Sequence, residues 1–181
     1  MGDNSMPNPI QQGNLDGLCG LYSTINAIDC LLDLDYDDLI ILFEIGIDYL
    51  DRRTNLKNTI LNGMTIHMVQ GIFNKYKDTL SDWGWNISVQ KFEAGNIRGL
   101  IGQMQKWLNE ENQCLVVGIH GRFNHWTCIS RSFNKNIKFY DSDGLEQLHI
   151  SHLTTGMGNG SRDCIIDPGE VLGIRLERNT D

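Results

Sequence analysis

Apolar residues keep a helical spacing through the first half of this chain and a strand spacing through the second, and that switch limits the folds open to it. From Cys19 to about Leu32 they fall at Leu21, Tyr22, Ile25, Ile28 and Leu32. This is the i, i+3, i+4, i+7 spacing of a helix with a buried face. A second helix is predicted from about Asp37 to Asp51. Thr65, three residues before Met68, caps a third that reaches about Asp78, and Asn96 opens a fourth carrying Ile97, Leu100, Ile101, Met104 and Leu108. Among the strands, Trp85 to Phe92 alternates and Cys114 to Ile119 is a short apolar run. Trp126 to Phe133 and Ile137 to Tyr140 read as two strands joined by the polar turn Asn134-Lys135-Asn136, which predicts a hairpin. Val171 to Leu176 supplies the last strand. Helices first and strands later make an α+β protein, not a βαβ alternation. With 181 residues, no repeat and no proline-rich linker, the expectation is one domain over residues 1–181, with residues 1–9 as an extended arm.

Charge and hydropathy remove several function classes. Fifteen Lys and Arg stand against 23 Asp and Glu, a formal charge of −8, and no basic run breaks the acidic balance. Such a surface repels phosphate backbones, so no nucleic-acid partner is expected. The longest apolar run, Leu39 to Phe43, is far too short to span a bilayer. The start Met1-Gly2-Asp3-Asn4-Ser5-Met6 lacks the regions of a signal peptide, and Met6 stands where a myristoylation motif wants Ser or Thr. A cytoplasmic protein without membrane partner is the expectation, exported, if at all, by a route without a cleavable signal; the sequence leaves its oligomeric state open. The five cysteines (Cys19, Cys30, Cys114, Cys128, Cys164) are odd in number and contain no C-x-x-C pair. That argues against a disulfide framework and a four-cysteine zinc site.

One cysteine has an unusual setting. In Gln11-Gln12-Gly13-Asn14-Leu15-Asp16-Gly17-Leu18-Cys19-Gly20, Cys19 follows an Asp-Gly turn and heads the first predicted helix. Unpaired N–H groups and the positive end of the helix dipole favour a thiolate there. The same N–H groups can receive an oxyanion, with a nearby glutamine amide as a further donor. Gly17 and Gly20 leave room for a substrate backbone. Farther on, Asn124-His125-Trp126 opens one strand and Phe139-Tyr140-Asp141-Ser142-Asp143 closes its predicted hairpin partner. The hairpin brings His125 and Asp141 together, so a carboxylate can orient one imidazole nitrogen while the other serves a thiolate.

Taken together, Gln…Asp-Gly-Leu-Cys-Gly, Asn-His-Trp and Phe-Tyr-Asp-Ser resemble the papain-like cysteine peptidase superfamily. The closest flavour is that of compact bacterial peptidases, including those that trim double-glycine leaders. The resemblance implies a papain-like α+β fold, with Cys19 as nucleophile at a helix start, and His125 as general base and Asp141 as orienting group on the sheet. It also implies a glutamine in the oxyanion hole. That glutamine commonly lies five to six residues before the cysteine; Gln12 is seven before and is preferred, with Gln11 and Asn14 as alternatives. Asp143 is the alternative to Asp141. The implied activity is peptide-bond hydrolysis in a protein or peptide substrate through a thioester, with no cofactor and no metal. Glutamine deamidation or transglutamination by a bacterial effector on the same triad is the alternative chemistry, and a silent papain-like binding module the alternative of another class. Trp126 is positioned to shelter the His–Asp contact.

Other signals point to structure. Asp33-x-Asp35-x-Asp37 with Glu44 imitates a calcium loop, but Asp38 stands where the sharp turn needs glycine, so the acids read as a helix start. His149-x-x-His152 with Cys164 lacks a fourth ligand, and Gly156 to Ser161 reads as a loop without the ending of a phosphate-binding motif.

Overall fold

The computed structural model describes residues 8–13, 16–155 and 164–179. Helix α1 (Cys19–Leu32) begins at the cysteine and buries ten of its residues, polar Ser23, Thr24, Asn26 and Asp29 among them. A helix covered nearly all round must lie between other elements. It does: α2 (Tyr36–Arg53) and α4 (Ile66–Asp82) flank one side of it, the sheet covers the other, and the short α3 (Leu56–Asn62) packs on α2. Asp35 caps α2 by accepting from the Asp38 N–H, so the acidic run that imitates a calcium loop serves a helix start. The expected Asn96 cap of α5 (Ile97–Trp107) is present, its side chain accepting from the Gly99 N–H at 2.9 Å.

The main sheet has the order β1-β7-β2-β3, all antiparallel, from β1 (Trp85–Lys91), β2 (Gln113–Gly121), β3 (His125–Ile129) and β7 (Cys164–Arg178). Two-residue β6 (Leu153–Thr154) adds a parallel pairing to β7. N-terminal helices thus pack on a C-terminal sheet, an α+β architecture. One face holds Leu21, Ile25, Phe73 and Tyr76 against Val116 and Leu172. The other packs Leu100 and Met104 of α5 on Leu115, Val117 and Ile129. Among the described residues no helix is long and apolar enough to cross a membrane.

The expected hairpin takes a different form. β4 (Asn136–Lys138) pairs with β5 (Gln147–His149) in a separate ribbon, and only Tyr140 bridges back to Cys128, its N–H donating to the Cys128 carbonyl at 2.8 Å. The strand from Trp126 ends at Ile129, because the chain turns away before Phe133. Tyr140 is held from a second direction, its hydroxyl donating to the Asp29 carboxylate of α1 at 2.7 Å. Burial, followed by the Asp29 carboxylate, pushes the Tyr140 phenol pKa up, so this contact keeps its proton. The segment entering Asp141 is therefore fastened both to β3 and to α1.

Candidate active site

Cys19 lies at the first position of α1, 7% exposed, behind a loop that Asp16 braces. Asp16 accepts from the Leu18 N–H through one carboxylate oxygen and from the Gly13 N–H through the other, both at 3.1 Å. Leu18 occupies the cap position and provides no side-chain cap, so the first-turn N–H groups, that of Cys19 included, stay available to an incoming anion. Gly17 is squeezed against α3: its N–H donates to the Ile60 carbonyl at 2.7 Å. A Cβ there would meet Gly63 N and Ile60 O at 2.9 Å.

His125 opens β3 opposite Ile119 of β2 and is 9% exposed. Its Nε2 lies 2.7 Å from Asp141 Oδ2. With Nε2 engaged, Nδ1 is the nitrogen left for Cys19, which also acts on this ring to raise its pKa. Burial pulls the imidazole pKa down, but the Asp141 hydrogen bond, then Cys19 and the Asp141 charge, outweigh it and raise it from 6.5 to about 10. The ring is thus poised to stay protonated at neutral pH.

Asp141 is held from several sides. Its Oδ1 accepts from the Asp143 N–H at 2.8 Å and the Leu145 N–H at 2.9 Å, leaving Oδ2 for His125. Burial alone would raise its carboxyl pKa; the His125 hydrogen bond and charge, with Thr127 and the Leu145 N–H, win and hold it below the usual carboxylate value. Thr127 Oγ1 is fully buried and makes no hydrogen bond of good geometry, yet faces this carboxylate. Between the two candidate aspartates it is Asp141 that meets the imidazole, while Asp143 contributes its backbone.

The glutamines differ in the same way. Gln11 Nε2 donates to the Pro9 and Asp141 carbonyls, both at 3.1 Å, which uses both protons of its amide. Gln12 joins the two halves of the site: its N–H donates to the Ser142 carbonyl at 3.0 Å, and its Oε1 accepts from the Ser142 hydroxyl at 3.3 Å. Its Nε2 donates to the Asp16 carbonyl at 3.3 Å, and among the described residues the second proton has no acceptor. Asn14 lies outside the described residues, as does the glycine-rich stretch from Gly156 to Ser161. Trp126 packs in the helix-side core and donates its Nε1 to the Met64 carbonyl at 2.9 Å. Sequence reasoning missed the bracing roles of Asp16, Ser142 and Thr127; only the Asp-Gly turn and the Asp-Ser pair gave any local sign of them.

Known structures offer a comparison for this arrangement. The chain is similar to two peptidase domains. One is the peptidase domain of Streptococcus ComA, a bi-functional ABC transporter, at 16% identity and a TM-score of 0.49, covering 94% of this chain and 97% of that one. The other is a double glycine motif protease from an AMS/PCAT transporter, solved with the leader peptide, at 12% identity and a TM-score of 0.39, covering 98% and 95%. No protein-family model matches the chain, and no curated protein matches it to a significant level. The chemistry that follows therefore rests on this chain's own side chains.

Of the two histidines in His149-x-x-His152, the His149 ring accepts from the Ser151 N–H and lies 2.7 Å from the Ser151 hydroxyl.

Proposed function

We propose that this chain is a papain-like cysteine peptidase that cleaves peptide bonds in a protein or peptide substrate. The observation that carries the reading is the 2.7 Å contact of His125 with Asp141, on a ring that Cys19 also influences from an uncapped helix terminus. With the proton already resting on His125, the Cys19 sulfur attacks the carbonyl carbon as a thiolate. The carbonyl oxygen takes up negative charge beside the Cys19 N–H and the spare Gln12 amide proton, donors that cost no reorganisation as the charge develops. His125 gives its proton to the leaving nitrogen, the C–N bond breaks, and a thioester remains. Water then attacks, with His125 taking a proton from it; the C–S bond breaks and the sulfur leaves as a thiolate beside the protonated ring, as at the start. Asp141 keeps the ring oriented and stabilises its charged form, and never needs to take the proton itself.

The test is a peptide library digested by the wild-type chain and by Cys19→Ala, with new termini read by mass spectrometry. Cleavage by the wild type and none by Cys19→Ala is the expected outcome. Cleavage that survives Cys19→Ala, or glutamine-to-glutamate conversion without fragments, would overturn the peptidase reading. Unchanged urea unfolding of the variant makes a loss of activity chemical, not structural.

A further inference from the structure

Three thiols that the peptidase reading leaves unused meet at one point. Cys30 near the end of α1, Cys114 at the start of β2 and Cys128 in β3 bring their Sγ atoms within 4.8 Å of one another. Cys30 and Cys128 are 3.9 Å apart, sulfur to sulfur, and Cys30 and Cys114 both donate to the Ala27 carbonyl, at 3.3 and 3.4 Å. Cys114 and Cys128 are fully buried, whereas Cys30 is partly exposed. None is in a disulfide. Eleven residues of one helix separate Cys30 from Cys19, about 16 Å at 1.5 Å per residue, so the cluster lies apart from the candidate active site.

We propose that Cys30, Cys114 and Cys128 form a three-sulfur binding site for a soft monovalent d10 cation, Cu(I). The donor set is sulfur alone, and thiolates select soft ions over the hard cations that carboxylates hold. The nearest carboxylate, Asp29, is already engaged: one oxygen accepts from the Tyr140 hydroxyl at 2.7 Å and the other from the Leu34 N–H at 3.1 Å. Structural zinc takes four ligands in a tetrahedron, and among the described residues this group offers three. Three coordination in a plane fits better: sulfurs about 2.3 Å from a central ion lie about 4 Å from one another, a spacing taken by analogy with metal–thiolate bonds. The Cys30–Cys128 pair already has that separation. Cys30 provides the entry path, and Cys114 and Cys128 the dry interior.

On binding, three S–Cu bonds form, three S–H bonds break and the protons pass to solvent. Copper stays in its +1 state, so no oxidant is consumed. The hydrogen bonds to Ala27 O are released. The ion ties α1, which carries Cys19, to β2 and to β3, which carries His125.

The test titrates the intact chain, without oxygen, with Cu(I) supplied as its bicinchoninate complex, and reads uptake by chelate absorbance and native mass spectrometry. Expected are one copper per chain, affinity that rises with pH, and copper X-ray absorption showing three sulfur neighbours. Cys30→Ser and Cys114→Ser should each weaken binding by at least about tenfold, while Cys19→Ala leaves it intact. No uptake from the chelate, nitrogen or oxygen neighbours, dependence on Cys19, or Zn(II) taken in preference would each overturn the proposal. Should buried Cys114→Ser fail to fold, Cys30→Ser at its partly exposed position and the wild-type absorption spectrum decide the matter alone.

Discussion

Asp141→Asn removes the negative charge from His125 while keeping side-chain size and an acceptor oxygen. Raising the imidazole pKa from 6.5 to about 10 corresponds to roughly 5 kcal/mol in favour of the charged ring, at about 1.4 kcal/mol per pH unit. Asp141 supplies the first and largest of the raising influences, and Cys19 part of the rest. The measurement is cleanest in a Cys19→Ala background, where the thiol's own proton no longer enters. Because the folded pKa lies above the unfolded one, the ring's contribution to stability is complete below pH 6.5 and is lost as pH rises towards the folded value. Losing Cys19 brings that upper limit below about 10 without abolishing it. Urea unfolding of Cys19→Ala with and without Asp141→Asn should therefore differ by roughly 3 kcal/mol at pH 6, the scale for breaking a buried charged pair. The gap should narrow steadily as pH rises towards 10. In parallel, the His125 ring should stay protonated at pH 7.5 by NMR in the first chain and titrate well below that in the second. A gap that stays constant across this range, or a ring that titrates near 6.5 in both chains, would refute the reasoning.

Three further substitutions probe the site. Gln12→Ala should lower kcat by about 10²–10³, the usual scale for one oxyanion donor, whereas Gln11→Ala, whose amide protons both serve backbone carbonyls, should leave kcat within a few-fold; steady-state kinetics on any peptide found to be cleaved reads both. Gly17→Ala places a Cβ against Gly63 N and Ile60 O at 2.9 Å. It should cost about 1–3 kcal/mol in urea unfolding and slow alkylation of Cys19, because the backbone that must yield is the loop holding it.

The helices and the cysteine turn were legible because their determinants are local. Leu21, Ile25 and Ile28 mark the buried face of α1, and Asn96 caps α5 through its own side chain, so a short window of sequence contains the cause. His125 and Asp141 were readable as partners since only a short connection separates them. The connection itself was misread. Ile137 pairs with Leu148, not with β3, and nothing in residues 134–136 distinguishes the two choices. α3 escaped notice because seven residues, of which only Thr59 is buried, carry too little periodicity to stand out. β7 reads as six residues but runs for fifteen, since Pro168 and Gly169 look like a chain break yet fall where the register to β2 shifts. The cysteine cluster had no local signature at all: its members come from three elements and meet only through packing.

The position of β7 governs when the candidate site of this molecule is assembled. It is the last strand along the described chain, yet it lies between β1 and β2 in the sheet. Until residues 164–178 emerge from the ribosome, β1 has no strand to pair with, and the face that buries α1 lacks Leu172 and Ile174. Cys19 is made first and is joined to a finished scaffold last. Such pairing across long sequence separations is slow, because closing the loop precedes any reward from contact. On the proposed reading, a nascent chain of this kind carries its candidate nucleophile for most of its synthesis without the scaffold needed to use it, which would spare the chains being made beside it.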